Sequence, residues 1–430
     1  MEKKRDFDNS FMEINETIDD AETEIVSDTD SVSVDFTEYA EETNDETSKK
    51  PENNDAASEP EEEPVNIDTT NAAALYTLWF GLDYGSILTA YALYKTVEES
   101  GKKPYLIGKP DVLWGEHYAD KENIAGKFIY KNCDVVQIGN GKAVKETLDA
   151  VNTHIVGSDI LWDEKVVGKQ AGKYYYLSEV DNNTNKIAFG TSVGADYNIP
   201  VDKRNDYSIL LHKFSNISVK SFSESLTMAD MYYIQPELVI DPVFLCDSDD
   251  YKKCAEKSVA REVEKENSFI FTYIKNGDAR KRDLVLRGNR ILMEKYVSPL
   301  RNFIDINRYP ESKAAIGLDP AYHILVEDWL YYIINSNFVI TDDYYGMCFA
   351  ILFNKNFVII GNREMKDISR YDTLLEQLDL KERMVFIDDD FKTKEYLFRK
   401  PVRYNIVNEK LEKLKSDSLE WLRNSIQLSK

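Results

Sequence analysis

The chain predicts an α/β protein in which two doubly wound parallel-sheet domains face each other behind a disordered acidic tail. Three observations carry this. From Leu75 onward, short β-branched and aromatic runs alternate with segments of helical period, as parallel strands joined by crossover helices do. Turns of glycine, hydroxyl and carboxylate residues recur where those strands end. Charge is also lopsided: residues 1–70 hold 24 acidic and 5 basic side chains, a net of −19 out of the chain's −24.

In the first segment aromatics are few, and runs such as Ser27-Asp28-Thr29-Asp30-Ser31 hold no period. Such a segment cannot bury enough apolar surface to offset its chain entropy, so residues 1–72 read as a disordered acidic tail, serving as an interaction arm or as a solubilising bristle. The first domain is then expected over 73–237, the second over 238–405, and a closing helix over 406–430.

Leu75–Phe80 reads as the first strand, and the following helix starts near Asp83 and stops at Gly101. Strands are expected at Tyr105–Gly108, Val135–Ile138, His154–Val156 and Lys186–Phe189. Helix Asn205–Phe214, strand Ile217–Lys220 and helix Ser223–Met231 complete the first series. A second series opens at Leu238–Ile240, followed by helix Asp249–Lys265, strand Phe269–Ile274 and helices Asp283–Tyr296 and Val326–Ile334. Strand Phe338–Thr341, helix Tyr345–Phe353, strand Phe357–Ile360 and helix Arg370–Leu378 continue it. The last helix, Asn408–Leu428, is expected to pack back across both domains.

Several function classes are excluded. No apolar run reaches the roughly 20 residues that span a bilayer, and the start lacks a basic-then-apolar signal, so a cytoplasmic protein is expected. Cys133, Cys246, Cys254 and Cys348 lack C-x-x-C spacing, and the four histidines lack paired ligand spacing, which argues for reduced thiols and no metal. Neither Gly81-Leu82-Asp83-Tyr84-Gly85 nor Gly139-Asn140-Gly141 completes G-x-G-x-x-G, which disfavours a nicotinamide cofactor. No nucleic-acid partner is expected of so acidic a chain.

The most informative stretch runs from Phe338 through Thr341-Asp342-Asp343-Tyr344-Tyr345-Gly346 to Phe353: a buried strand, a polar turn, an apolar helix. Ligands of open α/β sheets bind at such strand ends, where a helix start offers N–H groups to an anion. Asp342 or Asp343 serves equally as a plain N-cap. Similar turns follow other strands: Asp83-Tyr84-Gly85-Ser86, Gly157-Ser158-Asp159-Ile160-Leu161-Trp162, and Gly190-Thr191-Ser192-Val193-Gly194. Lys220, Lys275 and Arg363, with the run Arg280-Lys281-Arg282, supply cations near strand ends.

In order along the chain these segments resemble the polysaccharide pyruvyl transferase family. The family's Asn-Tyr-Gly turn and Gln-Ala-Tyr-Ala-Leu helix are similar to Asp83-Tyr84-Gly85 and Thr89-Ala90-Tyr91-Ala92-Leu93. Its Gly-Ser-Asp-Gln-x-Trp turn is similar to Gly157–Trp162, and its Tyr-Ala-x-Ser-x-Gly strand end to Phe189–Gly194. Asp241-Pro242-Val243-Phe244-Leu245 matches Asp-Pro-x-x-Leu, and Glu327-Asp328-Trp329-Leu330 with Thr341–Gly346 resembles Glu-Trp-Leu leading to Thr-Asp-Ser-Phe-His-Gly.

The resemblance implies two Rossmann-like domains of the glycosyltransferase B type and a pyruvyl transferase. Such an enzyme moves an enolpyruvyl-derived group from phosphoenolpyruvate, a donor substrate rather than a cofactor, onto a sugar of a cell-surface glycan precursor. Exopolysaccharide or cell-envelope synthesis, a glycan or lipid-linked acceptor, and peripheral contact with membrane-bound machinery at the inner face follow from it. Tyr345, Asp343 and Asp159 are then the catalytic candidates. Asp83, Tyr84, Gly85, Gly157, Ser158, Trp162, Ser192 and Lys220 are donor- or substrate-binding candidates from the first domain, and Lys275, Thr341, Asp342, Gly346 and Arg363 from the second.

Three departures stand out: Tyr345 replaces the family histidine, Asp343 the preceding serine, and Lys220 an arginine. A tyrosine donates a proton or hydrogen bond but carries no cation near neutrality, and an aspartate repels phosphate. Two alternatives therefore stand beside the pyruvyl transferase: a glycosyltransferase with a nucleotide-sugar donor, and a non-catalytic assembly partner in glycan synthesis.

Overall fold

A computed structural model describes residues 68–80, 83–108, 123–136, 148–163, 167, 174–194, 201–263, 269–275, 278–296, 300–304 and 324–427. The expected acidic tail lies outside the described residues.

Seven strands form the first sheet: β1 Ala72–Tyr76, β2 Lys103–Ile107, β3 Val135–Val136, β4 Thr153–Asp159, β5 Asn185–Thr191, β6 Asn216–Val219 and β7 Glu237–Leu238. Their order is β3-β2-β1-β4-β5-β6-β7, and every neighbouring pair is parallel. Five strands form the second: β8 Phe269–Ile274, β9 Leu300–Ile304, β10 Ser336–Thr341, β11 Asn356–Gly361 and β12 Met384–Phe386. They run β12-β11-β10-β8-β9, again all parallel. The crossovers are α1 Tyr84–Glu99, α2 Ile124–Asn132, α3 Val201–Leu211, α4 Phe222–Tyr232, α5 Ser248–Ala255, α6 Ala279–Tyr296, α7 Val326–Asn335, α8 Tyr344–Leu352 and α9 Ile368–Gln377. Helix α10, Tyr404–Gln427, closes the chain. The expected α/β class with parallel sheets is the fold observed.

Strand order reverses direction between β1 and β4 in the first sheet and between β8 and β10 in the second. These are the switch points at which crevices open at the carboxyl ends of strands. An apolar cluster joins the sheets beside them. The Tyr84 ring of α1 stacks on Trp329 of α7 at 5.6 Å, and Trp329 also meets Tyr273 of β8 and Phe349 of α8 edge-on at 5.6 and 5.3 Å. Tyr84 Oη donates to Ile324 O at 2.8 Å.

Helix α10 crosses from one sheet to the other. Tyr404 Oη donates to Ala350 O at 3.2 Å near its start, Trp421 meets Phe189 of β5 at 5.9 Å, and Ser425 O accepts from Asn185 at 2.8 Å. Midway, Ser418 Oγ accepts from the Ile240 amide at 3.0 Å, on the segment leading out of the first sheet.

The structure corrects several expected elements. The first strand is Ala72–Tyr76, not Leu75–Phe80; Trp79 lies beyond its end and donates to Ile107 O at 2.9 Å. The long helix expected over Asp249–Lys265 is broken after Ala255, because Ser258 Oγ and the Ala260 amide turn inward to Asp328 at 2.6 and 3.3 Å. Helix α2 and strands β9 and β12 were not anticipated, β12 being only three residues long.

Trp329 is buried, and Trp→Ala at such sites costs about 3–5 kcal/mol through lost burial and the cavity left behind. Denaturant unfolding of Trp329→Ala should show a loss of that size. A loss under about 1 kcal/mol would mean the cluster does not join the sheets.

Candidate active site

Two carboxylates that start helices meet on one cation. Asp83 caps α1, accepting from the Gly85 amide at 3.4 Å, and Asp343 caps α8, accepting from the Gly346 amide at 2.7 Å. Asp83 Oδ1 and Asp343 Oδ2 each lie 2.7 Å from Lys275 Nζ, just past the end of β8. The helix N-termini read as anion-binding in the sequence therefore spend these amides on their own caps.

The two carboxyls respond in opposite directions. Burial pushes Asp343 up, and the Asp83 charge adds to this beyond what Lys275 offsets. Burial also opposes ionisation of Asp83, but the Lys275 charge and the hydrogen bonds from Lys275, Ser86 and Gly85 outweigh it and hold this carboxyl below its usual value. For Lys275, burial opposes the charge, and Asp343 and Asp83 more than restore it, so its ammonium is held well above the ordinary lysine value.

Asp159, at the end of β4, gathers a second group. Its Oδ2 accepts from Ser86 Oγ and from Tyr345 Oη, both at 3.3 Å, and its Oδ1 lies 3.6 Å from the Arg370 guanidinium. Tyr345 lies flat on Gly85, where a Cβ would come within 1.8 Å of its ring, so only glycine permits this approach. Burial, reinforced by Asp159, raises the Tyr345 hydroxyl well above its ordinary value and keeps it a neutral donor. Gly157, at φ +137°, begins the turn to Asp159, and a Cβ there would sit 2.1 Å from Phe189 O.

Other candidates fall nearby in structural roles. Asp342 accepts from the Lys275 amide at 2.7 Å and from Lys281 Nζ at 2.6 Å. Thr341 Oγ1 accepts from the Asp343 amide at 3.0 Å, and a Cβ at Gly346 would meet that oxygen at 2.6 Å. Ser158 donates to Gly190 O at 3.2 Å, while Ser192 donates to Glu224 and accepts from the Gly194 amide at 3.0 Å.

Three further candidates are held in contacts of the fold. Trp162 is a core residue: its indole donates to Tyr175 O at 3.0 Å and stacks on Tyr176 at 5.4 Å. Lys220 is not free for a donor anion, because it is buried on Asp241 at 2.7 Å, with Thr89 holding the other carboxylate oxygen at 3.0 Å. Arg363 is drawn to the β11–β12 edge by Asp388 and Asp389, at 3.1 and 2.7 Å.

Arg370 of α9 was missed as a site residue. It lies over the Tyr344 ring at 4.5 Å and binds Asp367 at 2.5 Å, while its buried Nε has no hydrogen-bond partner. It follows β11, so the strand-end rule that selected Asp343 finds it when carried one helix further.

A sequence profile of the polysaccharide pyruvyl transferase family matches residues 83–364. No curated protein matches the chain significantly. Among solved structures the chain is similar to a glycosyltransferase from Rickettsia africae ESF-5, at 12% identity, 84% of this chain, 100% of that chain and a TM-score of 0.48. It is also similar to the UDP-GlcNAc 2-epimerase of Methanocaldococcus jannaschii, at 11% identity, 77% and 92% coverage and a TM-score of 0.49. The UDP-GlcNAc 2-epimerase of Neisseria meningitidis gives 9% identity, 83% and 99% coverage and a TM-score of 0.48.

The opposed carboxyls have a pH signature. A carboxyl whose folded-state pKa is raised stabilises least once pH exceeds both its unfolded and folded values, so Asp343→Asn, which mimics the protonated form, should gain Tm relative to the parent as pH rises from about 4 towards 7. Asp83, held low, stabilises above its unfolded value and loses this as pH falls, so Asp83→Asn should lose Tm relative to the parent over the same rise. Melting curves of the two variants that shift alike would show that the carboxyls are not set apart.

Proposed function

The chain belongs to the polysaccharide pyruvyl transferase family, and from that membership and the site geometry we propose that it transfers the pyruvyl group of phosphoenolpyruvate, as a ketal, to a sugar of a cell-surface glycan precursor. One observation carries the reading: Tyr345, standing where the family has histidine, reaches from the second sheet to Asp159 of the first, beside a buried carboxyl held above its usual value.

The reaction needs a proton at the methylene carbon of the donor, a base for each sugar hydroxyl, and a place for phosphate. The π electrons of the enol take up a proton at C3 from an acid, which leaves C2 electrophilic. One sugar hydroxyl adds to C2 and loses its proton. The C2–O bond to phosphate then breaks, a second hydroxyl adds and loses its proton, and the ketal closes. In this reading Asp343 delivers the first proton, because burial favours its neutral form, and Asp159 receives the hydroxyl proton. Tyr345 donates a hydrogen bond to the oxygen that carries phosphate. Arg370 holds the donor's anionic groups, a role to which its unpartnered Nε is suited.

A non-catalytic assembly partner is the second reading, favoured by close packing: Tyr345 is 1% exposed and every carboxylate of the group has a cation or hydroxyl against it. Catalysis therefore requires the two sheets to part before substrates reach Asp159.

Thermal shift separates the readings. A donor at about 100 times its Kd stabilises the folded state by about 2.7 kcal/mol, so phosphoenolpyruvate should raise Tm whereas a nucleotide-sugar should not. Phosphate release with a sugar acceptor should fall by about 10²- to 10⁴-fold in Tyr345→Phe with little change in stability, and Arg370→Gln should raise the KM for phosphoenolpyruvate. Stabilisation by a nucleotide-sugar alone would favour glycosyl transfer. Indifference to every donor would favour the assembly partner.

A further inference from the structure

We propose that the outward face of α6 and the turn beside it dock onto an anionic lipid bilayer. This is independent of the donor chemistry.

Between Ala279 and Lys295 the helix carries six basic residues, Arg280, Lys281, Arg282, Arg287, Arg290 and Lys295, against two acidic ones, Asp283 and Glu294, in a chain whose net charge is −24. Lys281 turns inward to Asp342 and the other five basic side chains face solvent. Leu286 and Met293, two turns apart on one face, are 57% and 49% exposed, with Arg282 and Arg290 on the same face by helical spacing. The spacing of large apolar side chains among arginines is what a bilayer interface accepts: apolar groups enter the headgroup layer while guanidinium groups meet phosphate.

The surface continues past the helix. Phe398 packs on Gly288 so closely that a Cβ there would lie 2.3 Å from its ring, and Arg399 reaches Glu294 at 3.4 Å. This turn adds Tyr396, 49% exposed, and the exposed Lys392, with Arg399 paired to Glu294 and Glu395 and Lys400 paired to Glu382. Tyrosine at such a rim suits the headgroup layer, where its ring and hydroxyl find different surroundings. The chain's overall negative charge does not forbid the contact, because charges more than about 8 Å away are screened at physiological ionic strength. No described helix is long and apolar enough to cross a membrane, so the contact is a surface one. The amino end of α6 adjoins the site through Lys281 and Asp342, so docking here would hold the cleft close to the lipid surface.

Co-sedimentation of the full chain with vesicles tests this without any donor or turnover. The protein should partition onto phosphatidylcholine vesicles containing phosphatidylglycerol, not onto phosphatidylcholine alone, and added salt should release it. Each basic residue at an anionic surface strengthens partitioning about five-fold, so replacing Arg280, Arg282 and Arg290 together with Gln should weaken it about 100-fold. Leu286→Ser with Met293→Ser should weaken it separately, with melting curves confirming that both variants fold. Failure to bind the anionic vesicles, equal binding to both vesicle types, or a triple variant that binds like the parent would overturn the proposal. The last result would place any membrane contact on another face, such as the exposed Phe222 and Leu226 of α4 with Tyr233 just past its end.

Discussion

The Lys275 ammonium is the interaction on which the cleft depends. Two helices begin opposite each other, and each start is capped by a carboxylate, Asp83 or Asp343. Lys275 Nζ lies 2.7 Å from an oxygen of each and turns their mutual repulsion into a bridge. Neighbouring residues carry the constraint into the core. Tyr84 follows Asp83 into the aromatic cluster, and Tyr273, two positions before Lys275 on the same side of its strand, meets the cluster from the other sheet. The polar bridge and the apolar seam are therefore fixed by the same two short segments.

Much of this was legible in the residues. The run Phe269–Ile274 predicts its strand to the residue, and the strand ending at Thr341 begins only two residues before the run that predicts it, because apolar runs covered on both faces leave little ambiguity. For Asp343, the cap and the ligand-facing carboxylate were weighed as alternatives. The structure shows the cap: one oxygen accepts from the Gly346 amide, and the other pairs with Lys275.

What was not legible depends on partners far away in the chain. Lys220 looked like an available strand-end cation, but Asp241, twenty-one positions on, neutralises it. Trp162 sits in a matching motif, yet its ring is held among Tyr176 and Phe214, a fact of packing that a motif cannot carry. Arg363 and Arg370 are seven residues apart and equally cationic. Only the acidic turn Asp388-Asp389 against the first, and the reach of the second to Asp159, separates their roles. The first strand was misplaced because Ala72-Ala73-Ala74 has little intrinsic strand preference; its burial on both faces decides.

The crossing of α10 has a mechanical consequence. The chain passes between the sheets at the segment after β7 and returns along α10, and these two crossings are tied side by side where Ser418 holds the Ile240 amide. Two adjacent crossings fixed to each other leave one easy rotation, about the line they define, and suppress sliding or twisting. Any parting of the sheets would then be the swing of a door on its jamb, small beside Ile240 and growing with distance from it. A rigid pin of this kind would return Tyr345 to the same seat on Gly85 after any parting of the sheets, so that their register is kept by the hinge rather than found anew.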